Sequence, residues 1–173
     1  MKKTIFSLLL IVSISSSLAQ TKVNWISFEK AIELTKKNPK PILIDVYTDW
    51  CGWCKRMDKN TYANTTIATY INQHYYAVKM DGEGKKPITY KGYTFKFQQQ
   101  GNTKYHELSA ALLNGKLSYP STIILSKEEK LLDRIPGYLK PKTMEMVLAY
   151  YNNNTFKTTK WEAFTKDFKS NLN

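Results

Sequence analysis

Cys51 and Cys54 are the only cysteines in the 173-residue chain, and they stand in Asp49-Trp50-Cys51-Gly52-Trp53-Cys54-Lys55, directly after an apolar run over 41–47. A lone C-x-x-C where a strand passes into a helix signals redox chemistry. Backbone N–H groups at a helix N-terminus carry partial positive charge, which stabilises a thiolate and lowers the pKa of the leading cysteine. The thiolate is the species that attacks. Two other uses of the pair compete with this one. A purely structural bridge would close so small a loop that it removes little entropy from the unfolded chain. A zinc site would have to recruit His74 and His106, whose spacing from the cysteines matches no zinc motif; both histidines read instead as surface or helix-packing residues.

The elements around the pair must hold it at a helix start. Residues 42–47 form a nearly continuous run rich in branched side chains, the pattern of a central strand covered on both faces, and Asp45 interrupts it. Upstream, Ser27 can cap a helix that carries Phe28, Ala31, Ile32 and Thr35 along one side and is stopped by Pro39. Downstream, a helix is predicted over 51–60, and Asn64 caps another whose Ile67, Tyr70, Ile71 and His74 share a side. A second strand is predicted over 75–80. Residues 88–90 and 93–97 flank Lys91-Gly92 like a small hairpin, and 105–114 fits a helix stopped by Gly115. Two antiparallel strands are expected over 121–125 and 131–135, then a helix over 141–151 opened by Pro141. The tail 152–173, with Trp161, Ala163, Phe164 and Phe168, reads as a short helix docked on the body. The order is α/β with a mixed sheet.

Length and charge bound the rest. Residues 1–19 read as an export signal: Lys2 and Lys3 lead, an apolar stretch follows, and Ser17-Leu18-Ala19 offers small residues before a cut. That stretch, diluted by five serines, is short of the ~20 residues a membrane span needs. Cleavage would leave 154 residues, one domain, with 24 basic and 14 acidic residues and a formal charge of +10. The lysines are scattered and no nucleic-acid motif accompanies them, so the charge reads as a solvated basic surface.

The stretch from Ile42 through Asp45, Trp50, Cys51, Gly52, Trp53 and Cys54 to Lys55 resembles the active-site region of the thioredoxin superfamily, and Tyr119-Pro120-Ser121-Thr122 resembles its second signature, a cis-proline opening a core strand. The likeness covers most of 25–151, with an enlarged segment over 82–104 and the tail 152–173 as additions to the minimal fold. It implies a thioredoxin fold, a mixed sheet flanked by helices. It also implies that Cys51, exposed at the helix start, attacks a substrate disulfide and that Cys54, one turn inside, resolves the mixed disulfide. Asp45, buried and of raised pKa, would exchange a proton with Cys54, and Lys79 would be its partner. Pro120 would face the dithiol, and the backbone of Tyr119 would pair with an extended substrate segment. Trp50, Gly52 and Trp53 would line the substrate site.

Each of these assignments has a plainer rival: an edge aspartate at 45, a solvent-facing lysine at 79, an ordinary trans proline at 120. Trp53 departs from the residues usual at its place in reducing or oxidising relatives, which leaves the reduction potential open. No cofactor is expected, no metal on the spacing of the histidines from the cysteines, and no nucleic acid on the scattered charge. The leader-like 1–19 segment implies export, to the periplasm or outside of a bacterium or into the secretory pathway of a eukaryote, and a monomer is expected; the resemblance implies action on cysteine-containing proteins with reduction favoured, electrons coming from a membrane-bound or exported partner. The rival from another class is a peptide-binding or holdase module whose dithiol is idle.

Overall fold

The computed structural model describes residues 21–172; the expected export signal lies outside them. Among the described residues no helix is long and apolar enough to cross a membrane. The chain runs β1 (Trp25–Ile26), α1 (Phe28–Lys37), β2 (Ile42–Tyr47), α2 (Gly52–Met57), a π-helical turn (Asp58–Tyr62), α3 (Thr65–His74) and β3 (Tyr76–Asp81). Four short strands follow: β4 (Ile88–Tyr90), β5 (Tyr93–Phe95), β6 (Phe97–Gln100) and β7 (Thr103–His106). Then come α4 (Glu107–Leu112), β8 (Ser121–Leu125), β9 (Leu131–Pro136), α5 (Pro141–Asn152) and α6 (Trp161–Asp167).

Five strands form the central sheet in the order β1-β3-β2-β8-β9. β2 lies at its centre, parallel to β3 and antiparallel to β8, so its first five residues are buried. Side chains alternate across a strand, and the two faces of β2 enter different cores. Ile42, Ile44 and Val46 pack with Phe28 and Ile32 of α1 and Leu108 of α4. Leu43 packs with Met57 of α2, Ile67 and Ile71 of α3, and Met144 and Leu148 of α5. Asp45 therefore points towards the face that α2 covers.

The caps follow the sequence. Ser27 Oγ accepts the Lys30 N–H at 3.1 Å, and Asn64 Oδ1 accepts that of Ile67 at 3.2 Å, each satisfying a donor that a helix start leaves free. The four residues expected on the inner side of α1 are all buried.

Several boundaries differ from expectation. The helix at the cysteines stops being α-helical at Met57 and continues as a π turn to Tyr62, where Thr61 Oγ1 donates to Leu139 O at 2.6 Å and Tyr62 is buried. The helix expected over 105–114 begins only at Glu107, because Tyr105 and His106 belong to β7. His106 then caps that helix, its Nδ1 accepting the Leu108 N–H at 3.2 Å. Residues 82–106 hold two hairpins rather than one. The first turns at Lys91-Gly92, both at positive φ, and the second pairs Phe97 to Gln100 with Thr103 to His106. The tail docks as expected: Tyr150 of α5 lies 5.2 Å from Trp161 and 5.0 Å from Phe164, ring to ring. The Glu145 carboxylate accepts the Ser170 hydroxyl at 2.5 Å and the Asn171 N–H at 2.7 Å.

Candidate redox site

β2 ends at Tyr47, and a tight turn closed by the Cys51 N–H on Thr48 O (3.1 Å) delivers Cys51 as the cap of α2. Cys51 and Cys54 are joined in a disulfide, with Cα atoms 5.3 Å apart. The Cys51 sulfur also accepts the Cys54 N–H at 3.1 Å. This donor belongs to the first turn of the helix, and on reduction it would favour a thiolate at the same sulfur.

One expectation needs correcting here. Cys51 is 4 % exposed and Cys54 2 %, so in the oxidised form the leading cysteine is buried as well. Bonding to Cys54 and accepting its N–H draw the Cys51 sulfur back over the first turn of α2.

Beneath α2 lies an ion pair. Asp45 and Lys79 are register partners across β2 and β3, and Lys79 Nζ sits 2.6 Å from Asp45 Oδ2. Asp45 is 1 % exposed, and burial pushes its carboxyl up to about 6 against the downward pull of Lys79. Burial acts to lower the Lys79 ammonium, but the two carboxylates it touches, Asp45 and Asp58, outweigh that and raise it. Neither the edge aspartate nor the solvent-facing lysine describes these residues.

Aromatic pairs stand at the mouth. Trp50 is 67 % exposed and Trp53 56 %. Trp50 lies edge-to-face with Tyr119 at 5.9 Å and donates its Nε1–H to Glu83 at 3.0 Å. Trp53 lies 5.6 Å from Tyr138, with the Arg56 guanidinium 5.2 Å from its ring centre. Gly52 is exposed with open space where a side chain would stand. The Tyr119–Pro120 bond is cis, and the Pro120 carbonyl accepts the Gly137 N–H at 2.8 Å.

The two histidines lie elsewhere: His74 ends α3 against Tyr70, and buried His106 meets the carbonyl of Lys86 through Nε2. Sequence reading missed Asp58, Glu83 and Tyr138. Only Asp58 left a signal, since it stands four positions after Cys54 and that spacing keeps both on one side of a helix.

Fold and site together define a thioredoxin-fold protein bearing a C-x-x-C disulfide. The family model described as Thioredox_DsbH, protein of unknown function, DUF255, matches residues 12–163, and the chain belongs to that family. A thioredoxin-fold protein from Helicobacter pylori, 22 % identical, shares the architecture with a TM-score of 0.55 over 75 % of this chain and 80 % of its own. An uncharacterized protein of Caenorhabditis elegans, B0495.5, is 30 % identical over 71 residues, which are 40 % of this chain and 10 % of that protein. The disulfide bond reductase DsbH of Chlamydia pneumoniae is 29 % identical over 65 residues, 37 % of this chain and 39 % of its own. The chain thus spans a small part of the curated relatives that it matches.

Proposed function

We propose that this protein is an exported thiol-disulfide oxidoreductase that reduces disulfides in cysteine-containing proteins. The observation that carries the reading is the Cys51–Cys54 disulfide closed over the first turn of α2, with a backbone N–H already directed at the leading sulfur. In the reduced protein the Cys51 thiolate attacks one sulfur of a substrate disulfide, and the other sulfur leaves as a thiolate and takes a proton from water. Cys54 then passes its thiol proton to the Asp45 carboxylate and attacks Cys51 Sγ, which releases the second substrate thiolate and restores the protein disulfide. Two electrons move from dithiol to substrate. Trp50, Trp53, Gly52, Tyr119 and Pro120 receive the polypeptide around its cysteine, and a membrane-bound or exported donor re-reduces the pair. The direction is supported by the name of the chlamydial relative, a disulfide bond reductase, and the location by the leader-like 1–19 segment.

Insulin reduction in the presence of excess dithiothreitol tests the reading. The protein should accelerate it, and Cys51→Ser should return the rate to that of dithiothreitol alone; a wild-type rate equal to that background overturns the proposal. Equilibration with glutathione then gives direction. A potential well below the isomerase value of about −180 mV fits a reductase, and one near about −120 mV fits an oxidant.

The exposure of Trp50 and Trp53 favours a second reading, a peptide-holding surface with an idle dithiol. Under it, Cys51→Ser would retain both peptide binding and physiological activity.

A further inference from the structure

Lys79 does not serve Asp45 alone. Its Nζ also bonds Asp58 Oδ1, and three rings surround it, with the centres of Tyr47, Trp25 and Tyr62 at 5.0, 5.2 and 5.4 Å. Such rings attract a cation through their electron-rich faces, and here they come from β2, β1 and the π turn. The ammonium is thereby held in place, its side chain 19 % exposed, with one carboxylate on the buried side and one on the open side. A lysine carries a single positive charge, and two anions draw on it.

The second anion owes its place to the irregular stretch of helix. Asp58 opens the π turn, whose wide hydrogen bond runs from the Ala63 N–H to the Asp58 carbonyl at 3.0 Å. The same turn supplies Tyr62 to the cage. Single π turns inside helices are frequent at functional sites.

We propose that Asp58 is a positioning residue of the redox site: by holding one side of Lys79 it withholds part of that cation's charge from Asp45, and so sets the pH at which Asp45 takes up and releases its proton. The proposal rests on the reading that Asp45 exchanges this proton with Cys54. The groups facing Asp45 are few. β3 supplies Lys79, the π turn supplies Asp58 and Tyr62, and β8 supplies the uncharged Thr122 opposite it in register. Cys51 and Cys54, joined at the start of α2, carry no charge in this form. Tyr62 stays neutral because burial drives its phenol well above the ordinary value. With the cysteines joined, Asp58 is the one anion in the set besides Asp45 itself, and its charge raises the Asp45 carboxyl. Being 45 % exposed, Asp58 can be changed without opening the core.

The experiment follows the Asp45 carboxyl carbon by NMR through a pH titration of the reduced protein, beside the pH profile of insulin reduction. Asp58→Asn removes the competing charge and leaves Lys79 to Asp45. The Asp45 midpoint should fall by about one pH unit, the scale of shift expected from a nearby opposite charge, and the midpoint of the rate profile should fall with it. Asp58→Glu should restore both towards wild type. An Asp45 midpoint in Asp58→Asn that is unchanged or raised overturns the proposal. If wild type reduces no disulfide at any pH, the reading of function falls, while the carboxyl titration still decides whether Asp58 governs Asp45.

Discussion

Asp45 and Lys79 face one another across the parallel pair β2–β3, 2.6 Å apart, with the carboxylate 1 % exposed beneath the helix that carries the disulfide. Burial and the ion pair pull the carboxyl in opposite directions, and burial wins, which leaves it at about 6 rather than near 3.8.

This has a definite sign for stability. The folded state binds the Asp45 proton more tightly than the unfolded chain does, so its contribution is fully present below about pH 4 and is lost as pH rises towards and through about 6. A difference of about 2 pH units corresponds to ~3 kcal/mol. Asp45→Asn should therefore remove most of the decline in stability between pH 4 and 7, and be more stable than wild type at pH 7 by up to that amount. Urea unfolding of both proteins at the two pH values measures it; parallel pH profiles would refute the burial argument.

Under the proposed mechanism, removing the Cys54 sulfur should trap the reaction half-way. With Cys54→Ser, the bond between Cys51 and a substrate cysteine has no internal nucleophile to break it. Non-reducing gels of cells making the variant should show adducts that collapse on adding dithiothreitol. Their absence, with the variant present at wild-type levels, would count against protein substrates.

Gly82 is predicted to resist any side chain. A Cβ there would lie 2.5 Å from Cε1 of Tyr119. The glycine cannot move aside, since its N–H donates to Tyr47 O at 2.7 Å and its carbonyl accepts the His106 N–H at 2.6 Å. The tyrosine ring must yield, and with it the edge-to-face contact to Trp50. Gly82→Ala should cost about 1–3 kcal/mol, the range for overpacking, and change the Trp50 emission. A spectrum and melting temperature identical to wild type would show that the ring is not so confined.

The buried Glu145 carboxylate accepts two hydrogen bonds from the end of the tail, from Ser170 and Asn171. Glu145→Ala leaves both donors without that acceptor and should lower stability by about 1–3 kcal/mol. Limited proteolysis should then clip the tail after α6 well before the body. Equal cleavage rates in variant and wild type would show that apolar packing, Phe168 on Phe164 and Leu172 on the core, secures the tail without those bonds.

Much of the site was legible in the chain because its chemistry is unusual where it sits. Two cysteines with no others, and an aspartate inside a branched apolar run, have few readings, and the register of β2 against β3 sets Lys79 beside Asp45. Asp58 escaped because a carboxylate among Lys55, Arg56 and Lys59 looks like any solvated helix face; its role depends on a π turn, and no composition marks where a helix widens by one residue. β1 is two residues long, too short to show a period. The second hairpin hid in a glutamine run, where alternation cannot show because both faces are polar. The burial of Cys51 was invisible for another reason: it is seen here in the disulfide-bonded form, and a sequence does not carry the oxidation state of its cysteines.

Gly82 ties two parts of the molecule to one peptide unit. On one side it is the wall against which Tyr119 rests; on the other, its carbonyl is where the two-hairpin segment returns to the body, through the His106 N–H and, at 3.0 Å, the Ser109 hydroxyl. The same peptide unit thus joins the base of the two-hairpin segment to the ring that meets Trp50, while Tyr90, packed on Phe28 and bonded to Glu129, fastens the first hairpin to the body at a second place.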